Sequence, residues 1–260
     1  MKSEFLPSSR CETAIAGGIM LLSLALRWLH FQLNPMITRD AAVYCQIAKV
    51  WSRTGDFTIA YSEHIGGTAP LHIYFLKLGA DLGIPIMTWG HILSFCFGAA
   101  FVFAFYLLGK VLFDGRGAAG LIFMFVAGIH PIIGRVSVDI LREGPFFMFA
   151  AFGMVFFVRT FKKRRLGEAA VCGLLLGVSM LVRHDGLELL FLSTAALLPW
   201  GKPLREWFVW RNYRLAAAVV AGAIAAVLLT LAICGIPLKY IFGQYLSKLD
   251  KISTRQNVAP

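Results

Sequence analysis

Seven apolar runs divide this sequence, at 13–33, 86–109, 117–133, 144–158, 166–182, 186–200 and 215–235. A helix that crosses a bilayer needs about 17–25 predominantly apolar residues, and most of these runs reach that length. The runs at 144–158 and 186–200 are short, so their helices must tilt, extend into the interface or sit partly inside a bundle. Composition agrees. Some 58% of residues are hydrophobic and only 15% charged, against roughly 25% charged in soluble domains. One water-soluble core of this size cannot bury 22 phenylalanines and six tryptophans. The reading is an all-α, polytopic membrane helix bundle of about seven spans, forming a single membrane domain over 1–260. A soluble enzyme, a secreted disulfide scaffold and a disordered tail are excluded. The first run carries Arg27 and His30 and lacks a small-x-small cleavage site. It therefore reads as a span, not a signal peptide.

Loop charge sets the orientation. FKKRR at 161–165 flanks two spans directly and belongs on the cytoplasmic side under the positive-inside rule. The N-terminus is then cytoplasmic. The loop 34–85, the turns 134–143 and 183–185, and the tail 237–260 face outward, as expected for a bacterial inner (plasma) membrane protein. The net charge of +11 is assigned to cytoplasmic loops and anionic membrane lipid, with no nucleic-acid partner. The five scattered cysteines form no CxxC or Cys/His pair, and their odd number forbids a complete disulfide set. They read as small buried hydrophobes. Gly17, Gly18, Gly98, Gly109, Gly120, Gly128, Gly173 and Gly177 are expected to permit close helix packing.

Ionisable residues at the edge of a membrane bundle are functional candidates, and here they gather on the outer side. The segment 38–55 has the pattern of an amphipathic surface helix in the first external loop. Val43, Tyr44, Ile47, Ala48 and Trp51 share one face, while Gln46, Lys49 and Arg53 share the other. At 100° per residue Asp40 falls on the apolar side with Tyr44 one turn below. Asp40 is thus expected to point toward protein and headgroups rather than bulk water. Its plainer role is a first-turn acid on a helix capped by Thr38, worth about 0.3–1 kcal/mol.

RDAAVY and IAKVWSRTGDF, followed by APLHIYFLKLGADLGI, resemble the first external loop of the C-type membrane glycosyltransferases. These are the polyprenyl- and dolichyl-phosphate-sugar transferases, among them protein mannosyltransferases and aminoarabinose transferases. GRVSVDILREGPFFMFAAFGMVFFVR (134–159) is similar to the family's second external turn and following helix. AVCGLLLGVSMLVRHDGLELL (170–190) is similar to its glycine-rich helix ending in a basic residue. The resemblance spans roughly 14–236, in order, and seven spans match the family's N-terminal module. It implies a polyprenyl-phosphate-linked sugar donor, a glycan, lipid or protein acceptor, and a single inverting displacement with Asp40 as general base. Many relatives have Asp-Glu at this point, whereas Asp40 is followed by Ala41, so metal use and acceptor type do not carry over.

A departing phosphate calls for a cation with charge-assisted hydrogen bonds. Arg183 is the first candidate, against an arginine that snorkels to lipid phosphate, and Arg39 is the second. Tyr44 is placed to line the substrate. Asp139 and Glu143 lie four apart, on one face if the segment is helical. They would either form an intrahelical salt-bridge cluster with Arg135 and Arg142 or bind acceptor hydroxyls or a cation. Glu63 and His64 precede the APLHIYF helix where some relatives supply a metal ligand. They read equally as a solvated loop pair, and the cofactor, a divalent cation included, stays open. His72 and His91 read as core or interfacial histidines. Two other functions fit the composition: a transporter or flippase for a lipid-linked sugar, and a truncated non-catalytic subunit. Against transport, no charged or proline-broken helix pair sits at mid-bilayer depth in matching halves.

Overall fold

A computed structural model describes residues 9–34, 37–62, 70–198, 200 and 213–236. Eleven helices and no strand occur among them: α1 (Ser9–Leu33), α2 (Arg39–Thr54), α3 (Phe57–Ser62), α4 (Pro70–Asp81), α5 (Ile86–Leu112), α6 (Gly117–Ile129), α7 (Pro131–Val136), α8 (Glu143–Lys163), α9 (Leu166–Val182), α10 (Asp185–Ala196) and α11 (Arg214–Cys234). The chain is an all-α polytopic bundle. Helices α1, α5, α8 and α11 are long and apolar enough to cross a membrane. The other three runs form the shorter helices α6, α9 and α10, of 13, 17 and 12 residues.

Two of the expected boundaries change. The run at 144–158 continues through TFKK, so α8 has 21 residues and needs no special accommodation. The run at 117–133 breaks at Pro131. Proline cannot supply the helical N–H and biases the preceding residue toward extended backbone. His130 accordingly sits at φ −63°, ψ 119°, and a new short helix, α7, starts at Pro131.

The bundle is built by hairpins. α5 pairs with α6 and with α8, α8 with α9, and α9 with both α10 and α11, while α1 leans on α6. Basic residues tie one end together. Lys162 donates to the carbonyls of Val111 (2.7 Å) and Leu112 (2.9 Å) and to Asp114 (2.7 Å), satisfying acceptors that the last turn of α5 leaves open. Arg159 Nη2 binds Glu168 at 2.7 Å, and Glu12 accepts from Lys110 at 2.8 Å. The closest crossing is that of α9 and α11, where a Cβ at Gly173 would stand 1.8 Å from the Val219 carbonyl oxygen. Gly98, Gly109, Gly120, Gly128 and Gly177 also meet neighbouring helices, but Gly17 and Gly18 have nothing within 4 Å of an added Cβ. The close packing expected of Gly17 and Gly18 is not made against the described residues. The cysteines are all free, and only Cys45 and Cys172 are buried; Cys11 and Cys96 are exposed on helices whose outward faces are apolar.

At the opposite end, α2, α3 and α4 fold onto the bundle. α2 buries Ala41, Tyr44, Cys45, Ile47, Ala48 and Trp51, the stripe expected from its 3.6-residue period. Gln46, Lys49 and Arg53 are exposed on the other face. Trp51 packs edge-on against Phe57 (4.8 Å) and tilted against Tyr74 (5.6 Å). The Trp89 indole donates to the Phe75 carbonyl at 2.8 Å, fixing α4 against the start of α5.

Candidate active site

Thr38 caps α2 as expected, its hydroxyl accepting from the Ala41 N–H at 3.3 Å. The Asp40 carboxylate, however, is exposed, and so are Arg39 and Ala42. The angular reading was sound but incomplete: burial in the first turn is confined to Ala41, and no neighbouring element covers its other flanks. Asp40 thus presents an accessible carboxylate at the rim rather than one turned into protein.

Tyr44, one turn on, is 6% exposed and marks a convergence of charge. Burial pushes its phenol pKa up. Arg142 and Arg183 pull it down, and Asp40 and Glu143 push it further up. Four charged side chains from α2, the turn before α8, α8 itself and the end of α9 thus act electrostatically on one hydroxyl.

Arg183 is not a loose surface cation. Its Nη1 donates to Glu143 and its Nε to Asp185, and its guanidinium lies over the Phe146 ring at 5.9 Å. The sharp turn from α9 into α10 makes this possible: a Cβ at Gly186 would stand 2.4 Å from the Met180 nitrogen. Carboxylates on both sides fix the guanidinium plane. Nη2 is left without a hydrogen bond to the described residues.

Asp139 and Glu143 do not share a helical face. α7 ends at Val136 and α8 begins at Glu143, with residues 137–142 in turns between them. Pro145 explains this, because proline is tolerated only in a helix's first turn. Asp139 caps its neighbour, Oδ1 accepting from the Ile140 N–H at 2.8 Å, and its carbonyl accepts from Ser94 at 2.8 Å. It lines a cavity of about 350 Å³ together with His30, Asn34, Thr38, His91 and Arg135. Glu143 pairs with Arg183 across 40 residues of sequence rather than with Arg142 or Arg135.

Glu63 and His64 lie outside the described residues. Among the described ones, no group of three His, Cys, Asp or Glu side chains gathers to hold a metal ion. His91 is satisfied through the Val138 carbonyl, 3.0 Å from Nδ1. His72 differs. It is 2% exposed and edge-on to Tyr44, with ring centroids 5.3 Å apart. The Ile140 backbone lies beside its ring, yet neither nitrogen has a partner in bonding geometry. Burial, with Arg142 adding to it, drives the pKa down to about 4, so the ring is neutral around Tyr44.

The sequence from residue 67 to 234 matches the dolichyl-phosphate-mannose-protein mannosyltransferase family. The chain belongs to that family. Its members are membrane glycosyltransferases, and the match takes in Arg142, Glu143 and Arg183 but starts downstream of α2 and Asp40. No curated protein and no solved structure matches the chain. Within this mannosyltransferase-family chain, His72 is the core histidine expected, but its lack of a hydrogen-bond partner and the Glu143–Arg183–Asp185 bridge were not foreseen. A histidine in an apolar helix carries no local mark of being unpartnered. The HDG turn after Arg183 does announce an acid within reach of that arginine.

Proposed function

We propose that this chain moves a sugar from a polyprenyl-phosphate donor to an acceptor hydroxyl, with inversion, at the end of the bundle remote from its basic loops. The observation that carries the reading is an arginine, Arg183, held by Glu143 and Asp185 and acting with Asp40 on Tyr44, beside a rim carboxylate open to an acceptor. Asp40 takes the proton of the acceptor hydroxyl. That oxygen attacks the anomeric carbon from the face opposite the phosphate. The carbon–oxygen bond to phosphate breaks, and its electron pair leaves with the phosphate.

Arg183 serves the leaving group through Nη2, while Glu143 and Asp185 hold its plane. Tyr44 hydrogen-bonds the sugar or its phosphate, Asp139 faces acceptor hydroxyls from its cavity beside Thr38, and Arg39 supplies a further cation at the rim. The basic end faces the cytoplasm by the positive-inside rule. This puts the site on the outer face of a bacterial inner membrane, with a glycan, lipid or protein as acceptor.

The test is transfer of radiolabelled sugar by the purified full chain from a set of polyprenyl-phosphate sugars. Asp40→Asn keeps shape and hydrogen bonding but removes basicity, and should cost roughly 10²–10⁴-fold in turnover. Asp56→Asn, in the same loop, should cost little. Normal turnover in Asp40→Asn at equal abundance ends this mechanism. Label that crosses a vesicle membrane without entering a new covalent product would instead identify a transporter.

A further inference from the structure

Arg27 lies two turns from the end of α1, inside a membrane-spanning helix, and is 1% exposed. Its hydrogen bonds go to neutral oxygens: Nε to the Ser137 hydroxyl at 2.8 Å, and Nη1 to the Ser23 hydroxyl, the Ser23 carbonyl (3.1 Å) and the Gly128 carbonyl (3.5 Å). Nη2 is buried without a partner. No carboxylate pairs with Arg27 among the described residues. Gly98 makes the seat, since a Cβ there would stand 2.9 Å from Nε. Taking a charge out of water costs several kcal/mol unless an opposite charge answers it. The described residues build a fitted place for a cation and supply no anion beside it.

The missing anion has a place to sit. Arg27 closes one end of a cleft of about 380 Å³ between α1 and the bend where α6 passes into α7. His30, His130 and Arg135 line the same cleft, and no acid does among the described residues. The transfer site, by contrast, sets Asp40, Glu143 and Asp185 beside its arginines. The remaining wall is apolar, with Leu26, Ile129 and Ile132 at 40%, 42% and 67% exposure. Arg27 stands six residues before the end of α1, about 9 Å along its axis at 1.5 Å per residue. It therefore stands near one end of the span and not at its middle.

We propose that this cleft binds the phosphate of a membrane lipid. Its chain lies on Leu26, Ile129 and Ile132, Arg135 and the two histidines meet the phosphate, and Arg27 balances its charge from behind. The cleft shares His30 and Arg135 with the cavity that Asp139 lines, but the proposal needs only that α1 and α6 lie in a bilayer and does not rest on the transfer reading.

The test uses the purified full chain in detergent, followed by native mass spectrometry and thermal unfolding. The probes are phosphatidylglycerol, polyprenyl monophosphate, uncharged diacylglycerol and inorganic phosphate. One lipid phosphate should stay bound and raise the unfolding temperature, and diacylglycerol should not. Arg135→Gln, at an exposed position, should weaken binding by about tenfold, the loss of a charge-assisted contact. Arg27→Met should abolish the thermal shift; if it does not fold, Arg135→Gln and His30→Gln carry the test. Preference for phosphatidylglycerol upholds the site with a bilayer headgroup as occupant, and preference for polyprenyl phosphate upholds it with a lipid carrier. Equal binding by wild type and Arg135→Gln overturns it, as does diacylglycerol or inorganic phosphate binding as tightly as the lipid phosphates.

Discussion

Gly173→Ala should force α9 away from α11. The new Cβ would stand 1.8 Å from the Val219 carbonyl oxygen and 2.6 Å from its carbon, where ordinary contact begins at 3.4 Å. The obstacle is backbone, which cannot rotate aside, so the axes must part by about 1.5 Å. Gly222 repeats the constraint from the other helix, its added Cβ meeting the Ala170 carbonyl at 2.1 Å. A gap of this size forfeits much of the dispersion along a crossing. Overpacking of this kind costs about 1–3 kcal/mol, and a fixed backbone puts it at the upper end. Alanine's better helix propensity returns about 1 kcal/mol, leaving a net loss of about 2 kcal/mol. SDS titration of the purified protein in mixed micelles reads that loss directly. Gly18→Ala is the matched control, because nothing lies within 4 Å of its added Cβ and it keeps only the helix gain of at most about 1 kcal/mol. Equal stability of the two variants would refute the close crossing. A second readout follows from geometry: Arg183 lies ten residues along α9 from Gly173, so a displaced helix should also disturb its bridge to Glu143.

Arg183→Lys should recover only part of what Arg183→Ala loses in transfer, because an ammonium cannot hold Glu143 and Asp185 in the planar fork of a guanidinium; equal rates for the two variants would remove that geometric argument. His72 is neutral in the fold with its pKa lowered to about 4, so the unfolded chain takes up the proton first as pH falls below about 6.5. Its contribution is whole above that pH and declines at about 1.4 kcal/mol per unit down to about 4; unfolding at pH 7 and pH 5 should show a drop that His72→Leu lacks. A reporter fused after Arg165 should read cytoplasmic and one inserted at Gly66 external, and the reverse pattern would put every proposed site residue in the wrong compartment.

The spans were legible because bilayer crossing is written in local composition, and a run such as 215–235 means the same in any tertiary context. The stripe of α2 and its Thr38 cap were legible for a similar reason, since both are set by spacing within one helix. What fails is what depends on a partner far along the chain. Glu143 reads beside Arg142 as a local pair, yet its partner is Arg183, brought close by the α8–α9 hairpin and the Gly186 turn. Pro145 did hold the information that Asp139 and Glu143 cannot share a helix, because a helix has to start within a turn of it. The exposure of Asp40 was out of reach of any angular argument, since periodicity gives the side of a helix and not whether a neighbour covers that turn.

Arg27 also fixes an order of events during synthesis. The ribosome delivers α1 before α6 and α7, and of the groups that receive this guanidinium only Ser23 travels with it. Gly128 and Ser137 follow 101 and 110 residues later. An arginine entering lipid alone costs about 2.5–3.5 kcal/mol on the insertion scale and escapes by reaching for the surface. Until the α6–α7 bend emerges, a guanidinium on this helix is better placed among the headgroups than in the hydrocarbon. Helix α1 precedes its own seat in the chain, and a chain stalled before residue 137 would lack the Ser137 hydroxyl that receives Nε.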